Sequence, residues 1–67
     1  MMEYKVELLR LGKKQLDLVK EINSRNLGYK CNIVEMSNAV NGAPRPKFDK
    51  IRADAETIIN EWKAAST

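Results

Sequence analysis

The chain has 67 residues, the size of one small domain, with 12 lysines and arginines against 9 aspartates and glutamates. It contains one cysteine and no histidine, so an internal disulfide is impossible and a compact zinc site is not expected. No apolar run approaches the roughly 20 residues that cross a bilayer, and residues 1–3 lack the charged and apolar regions of a signal peptide. We therefore expect one cytoplasmic domain that folds by apolar packing and needs no cofactor.

The net charge of +3 is concentrated in the middle of the chain. Residues 13–47 hold seven cations and three anions, a net charge of +4, whereas residues 1–12 are neutral and residues 48–67 carry −1. A basic segment favours a polyanionic partner such as a nucleic acid. A solvated surface would have the same composition, so charge alone leaves both interpretations open.

The first two predicted helices cover residues 3–11 and 13–26. Apolar side chains recur in them at helical spacing: Tyr4, Leu8 and Leu11 in the first, and Leu18, Val19 and Ile22 in the second. Gly12 is placed to end the first helix in a left-handed cap. Leu16 lies off the stripe of the second helix, and its environment is left open. Asn26 to Gly28 are expected to end that helix, and Cys31 is expected to be a small buried residue in the turn that follows.

The third predicted helix covers residues 33–41. Asn32 is a good N-cap, and Glu35 three residues later completes a capping box. Gly42 is expected to stop the helix. The side chains predicted to pack inward are Ile33, Met36, Ala39 and Val40.

The last predicted helix covers residues 47–64, after a stiff loop that contains Pro44 and Pro46. It carries the clearest period in the sequence. The apolar stripe consists of Phe48, Ile51, Ala55, Ile58, Ile59 and Trp62. The pattern therefore predicts an all-α domain of four to five helices.

The second and third helices, joined by a polar turn, have the arrangement of a helix-turn-helix. The sequence resembles the phage Cro and lambda-repressor class of regulators, also called Xre-type, over about residues 4–48. The matching residues are Gln15, Asp17, Leu18 and Val19 at the start of helix two, Asn32 at the cap, Met36 and Ser37 inside helix three, Asn41-Gly42 at its end, and the basic loop Arg45-Pro46-Lys47-Phe48.

This resemblance implies a lambda-repressor-like fold and sequence-specific binding of double-stranded DNA by a small phage or mobile-element transcriptional regulator. Helix 33–41 would then enter the major groove. The residues expected to contact base edges are Ile33, Val34, Ser37 and Asn38. The residues expected to contact phosphates are Lys13, Lys14, Gln15, Lys30, Asn41, Arg45 and Lys47. Asn38 suits adenine and Val34 suits a thymine methyl, although a packed Val34 and a solvated Asn38 are the simpler alternatives.

A homodimer is expected, because one domain of this size contacts too few base pairs to specify a site in a genome. Ile59 and Trp62 on the last helix are the predicted contacts between subunits.

Two alternatives remain open from the residues alone. A protein-interaction module would use the C-terminal apolar helix, and Glu35 with Val34 would suit a protein surface. An architectural DNA-binding role is the other, although the sequence shows no strand pair for a wing. Catalysis is not expected, because Cys31 has no evident base to activate it.

Overall fold

The computed structural model describes residues 3–66 and contains helices only. They are α1 (Tyr4–Leu11), α2 (Gln15–Ser24), α3 (Ile33–Val40) and α4 (Pro46–Ala65). The predicted all-α class is confirmed for these residues.

Helix α1 ends as its sequence predicts. Gly12 has φ +68°, and the backbone N–H groups of Gly12 and Lys13 donate to the carbonyls of Leu9 and Leu8 at 3.1 and 2.9 Å. These bonds satisfy carbonyls that the helix itself leaves free, and glycine takes the left-handed conformation at little cost.

Helix α2 is shorter than predicted by two residues at each end. Lys14 is extended, and its backbone N–H donates to the Asp17 carboxylate at 2.8 Å, so the helix begins at Gln15. Asn26 has φ +53°, a left-handed conformation that closes the helix soon after Ser24. Leu16, left open by the sequence, is exposed.

Asn23 holds the segment between α2 and α3. Its side-chain amide donates to the Cys31 carbonyl at 2.8 Å, and its side-chain oxygen accepts from the Cys31 N–H at 2.9 Å. Cys31 is buried, as predicted. The segment spans residues 25–32, which is longer than the three or four residues of a usual helix-turn-helix turn.

Helix α3 begins with the predicted capping box. The Glu35 N–H donates to Asn32 Oδ1 at 2.8 Å, and the Asn32 N–H donates to Glu35 Oε1 at 3.1 Å. Met36 and Ala39 are buried as predicted, but Ile33 is 45% exposed. An i+3 step falls about 60° short of a full turn, so with Met36 and Ala39 at the centre of the buried face Ile33 lies at its edge.

Helix α4 is the longest and supplies four of the twelve buried apolar residues in the described part of the chain. It begins with Pro46 in its first turn, where the missing N–H has no helical acceptor anyway. Its buried residues are Ile51, Ala55, Ile58 and Ile59, with Phe48 and Trp62 packed beside them. Helices α1, α2 and α3 all pack on α4, and α3 also packs on α2. None of the four helices in residues 3–66 combines the length and the apolar composition of a membrane-spanning segment.

Candidate nucleic-acid interface

The outward side of α3 carries Val34, Asn38 and Asn41. Spacings of four and three residues place them in one row along the helix. All three are exposed, and Val34 is exposed to 64%. Ile33 and the half-buried Ser37 flank the row. We call these five residues the α3 strip; none of them is ionisable, and together they include every predicted base contact.

Glu35, the acid of α3, lies outside the α3 strip. Its carboxylate is 2.7 Å from the Lys47 ammonium on α4 and also accepts the Asn32 N–H of the capping box. The hydrogen bond from Lys47 holds the pKa of Glu35 below its ordinary value of 4.5. Glu35 is therefore a charged structural residue whose charge is balanced within the protein.

The same ion pair changes the interpretation of Lys47, which the sequence assigned to phosphate. Its ammonium forms a charge-assisted hydrogen bond with the Glu35 carboxylate, since the two atoms are 2.7 Å apart. Binding a phosphate would require Lys47 to exchange this partner. Lys47 is consequently the least available of the predicted phosphate contacts.

Ion pairs in residues 3–66 leave a basic segment uncompensated. The cations of this part of the chain that pair with no carboxylate are Lys5, Lys13, Lys14, Lys20, Lys30, Arg45 and Lys50. Five of these seven lie between residues 13 and 45, where Glu21 and Glu35 are paired with cations and the third acid, Asp17, accepts the Lys14 N–H. The basic character predicted from composition is thus retained on the folded surface.

Lys14 and Arg45 differ from Lys47 in that neither pairs with a carboxylate in the described residues. They are the N-cap residues of α2 and α4, both extended in backbone and exposed. The first N–H groups of a helix lack helical acceptors, and the helix dipole is positive there. Gln15, half-buried in the first turn of α2, shares this environment. Lys14, Gln15 and Arg45 therefore remain suitable phosphate contacts.

Lys13 and Lys30 have neutral partners in the protein. The Lys13 ammonium lies 5.0 Å from the centre of the Trp62 ring, and the Lys30 ammonium donates to the Asn23 carbonyl at 3.3 Å. Neither contact cancels a positive charge. Both lysines are exposed and contribute to the positive electrostatic field, but these contacts orient their side chains.

The predicted dimer contact at Ile59 is wrong. Ile59 is fully buried, because α1, α2 and α3 all pack on the helix that carries it. Trp62 is half-buried against the core under Lys13, so its ring already has partners within the subunit. Within residues 3–66, the large apolar side chains that are exposed outside α3 are Val6, Leu9, Leu16 and Leu27.

Two arginines that join distant segments were missed from the sequence. Arg52 of α4 donates to the carbonyls of Ala39 and Ala43 at 2.9 and 3.0 Å. Arg25 after α2 lies 2.9 Å from Glu21 and 2.8 Å from Glu61 of α4. These pairings, apart from the one with Glu21, span 9 to 36 residues. No local spacing in the sequence signals them.

Cys31 is placed as a structural residue. Burial raises the pKa of its thiol, and its Sγ donates to the Asn32 carbonyl at 3.4 Å. A raised pKa disfavours the thiolate, which is the reactive form of cysteine.

Comparisons with protein-family models, with curated proteins and with solved structures found no match for this chain.

Proposed function

We propose that this protein is a sequence-specific double-stranded DNA-binding regulator of transcription, in which α2 and α3 act as a helix-turn-helix and α3 enters the major groove. The observation that supports this most is the composition of the α3 strip. It is exposed and uncharged, the one acid of α3 is paired with Lys47, and the surrounding segment holds unpaired cations. An uncharged row of polar and apolar side chains within a basic segment suits base recognition, because the phosphates on either side of the groove attract the cations.

The α3 strip offers two kinds of base contact. The Asn38 side-chain amide has the donor and acceptor that adenine requires in the major groove, and the Val34 methyl groups can pack on a thymine methyl. Ile33 and Ser37 lie beside them and contact neighbouring positions. The predicted specificity therefore includes A·T pairs.

Phosphate contacts come from the start of α2 and from the end of α3 with the loop that follows it. Lys14 and Gln15 at the start of α2, and Arg45 in the loop after α3, bind backbone phosphates, and Asn41 at the end of α3 donates its side-chain amide. Lys13 and Lys30 add to the attractive field. Each phosphate neutralised releases counterions, so binding should weaken steeply with salt.

Recognition of a site requires two copies on a symmetric operator. One domain of this size contacts too few base pairs to specify a genomic site. Because Ile59 is buried, any contact between copies must use other side chains, and Val6 and Leu9 on α1 are exposed apolar candidates. The role is that of a small phage-type regulator in the cytoplasm, without catalytic activity.

The alternative function, a protein-interaction module that docks a partner on α4, is less well supported. Its docking surface was the apolar stripe of α4, and Ile51, Ala55, Ile58 and Ile59 of that stripe are buried in the core. A partner helix would have to displace the protein's own helices to reach them.

Selection of bound sequences from a random DNA duplex pool tests the proposal. We expect enrichment of a symmetric site with half-sites about 10 bp apart, since two copies on one face of the duplex are separated by one helical turn. Affinity for this site should fall steeply as salt rises. A pool that stays random after repeated rounds would contradict the proposed function.

A further inference from the structure

The guanidinium of Arg52 connects three parts of the molecule. Arg52 belongs to α4, and one of its terminal nitrogens donates both to Ala39 O in α3 and to Ala43 O in the following loop. The other terminal nitrogen pairs with Asp49. The side chain is only 15% exposed, so these bonds are largely shielded from water.

These bonds lie at the C-terminal end of α3. The last carbonyls of a helix have no helical donor, and the helix dipole is negative there. Part of this end is closed by the backbone, since the Gly42 and Ala43 N–H groups donate to Ala39 O and Asn38 O at 3.1 and 3.0 Å. Arg52 adds a positive charge at this end and fixes Ala43, one residue after the left-handed Gly42.

The other end of α3 is also held by α4. Lys47 in the first turn of α4 pairs with Glu35 in the first turn of α3 at 2.7 Å. An eight-residue helix is too short to be stable alone, so its direction depends on such attachments. Arg52 is the better shielded of the two: its side chain is 15% exposed, against 45% for Lys47.

We infer that Arg52 is a positioning residue for base recognition: it fixes the C-terminal end of α3 and the Arg45 loop together, and so sets the angle at which the α3 strip meets the bases. This inference rests on the proposed function. It assigns discrimination between sequences partly to a residue that touches no DNA. A small change in the direction of α3 would weaken base contacts, while phosphate contacts from flexible cations would adapt.

The test compares Arg52→Met and Arg52→Lys with the control Arg25→Met. Arg25 also joins α4 to another segment, but its partners Glu21 and Glu61 belong to α2 and α4, and none belongs to α3 or to the loop after it. Each variant is first shown to be fully folded at the temperature used. Affinity is then measured for the selected duplex and for a scrambled duplex of the same length.

We expect Arg52→Met to lower the ratio of specific to scrambled affinity about tenfold, comparable to one mismatched base pair. Arg52→Lys should restore part of this ratio, because an ammonium can still donate to the same carbonyls. Arg25→Met should leave the ratio unchanged. If Arg52→Met weakens both duplexes equally, or behaves as Arg25→Met does, the inference is overturned while the proposed function stands.

Amide hydrogen exchange in the free protein gives a second measurement that needs no DNA. Arg52→Met should speed exchange at Gly42, Ala43 and Arg45, whose N–H groups close the end of α3 and its loop, whereas Arg25→Met should not. Should Arg52→Met fail to fold, Arg52→Lys is used in both measurements, where we expect changes in the same direction and of smaller size. Unchanged exchange at these amides would also overturn the inference, whereas failure of the natural protein to select any sequence would overturn the proposed function itself.

Discussion

Helices α3 and α4 use their side chains in opposite ways. On α4 four of the six residues of the apolar stripe are fully buried, and Arg52, Glu61 and Lys63 bind other helices or the segments that follow α2 and α3. On α3 only Met36 and Ala39 are buried, and Val34, Asn38 and Asn41 are left exposed. The comparison indicates that α4 provides stability and that α3 is free to provide recognition.

The largest expected effect is on the free energy of unfolding, which should respond differently to substitutions in α4 and in α3. Ile59→Ala should lower the free energy of unfolding by about 2–5 kcal/mol, because it removes a fully buried side chain and leaves a cavity. Val34→Ala on the α3 strip should change it by no more than about 0.5 kcal/mol. Urea unfolding at one protein concentration measures both. Equal losses from the two substitutions would contradict the division between the helices.

The next prediction concerns base recognition. Asn38→Ala should cost about 1–3 kcal/mol of binding to the selected duplex, confined to one base position, because it removes a bidentate contact. Asn60→Ala, which changes an exposed asparagine on α4, is the matched control and should bind as the natural protein does. Affinities for a set of single-base variants of the duplex give the answer. A uniform loss on every duplex would argue that α3 does not contact base edges.

A smaller effect is expected from the phosphate contacts. Lys14→Ala and Arg45→Ala should each lower the slope of log affinity against log salt by about 1, with similar losses on all sequences. Lys50→Ala serves as the control, since Lys50 is also unpaired with a carboxylate but lies on α4, 5.8 Å from the centre of the Tyr29 ring. The slope is obtained from titrations at several salt concentrations. An identical change from all three substitutions would show that the basic segment has no special role.

The smallest effect concerns acid stability. Hydrogen bonds from Lys63, Lys47 and Arg25 lower the pKa of Glu7, Glu35 and Glu61, respectively, from an ordinary value of 4.5. A lowered folded-state pKa means that the unfolded chain binds more protons in this range. The stabilisation is thus present above 4.5 and is lost as pH falls through the folded values.

Urea unfolding from neutral pH to below 4.5 should show this loss as a modest decline, reduced by added salt because all three pairs are at the surface. Substituting the three glutamates by glutamine should flatten the decline. A decline that is just as steep in the triple variant would assign acid sensitivity to other groups.

The features predictable from the sequence are those determined by neighbouring residues. The Gly12 cap depends on one residue, the Asn32–Glu35 box on two residues three apart, and the α4 stripe on a period sustained over several turns. The exposure of Asn38 follows from the same periodicity once α3 is recognised, whereas the sequence left open whether Val34 is packed. Apart from Val34, local geometry was sufficient in each case.

The features that were missed depend on packing between distant segments. Ile59 was assigned to a dimer contact because the spacing of apolar residues within α4 does not reveal that α1, α2 and α3 pack on this helix. Ile33 was placed in the core because the period alone does not give the centre of the buried face. Arg52 has no local signature, since its acceptors Ala39 and Ala43 are brought to it by the turn between α3 and α4.

The most direct test of recognition by α3 is an NMR titration of the isotope-labelled protein with the selected duplex. We predict that the largest shifts will fall on the α3 strip, above all on the Asn38 side-chain amide, with smaller ones at Lys14, Gln15 and Arg45, and that high salt will reverse them. Shifts centred on the outer side of α1 at Val6 and Leu9, with α3 unchanged, would contradict the account.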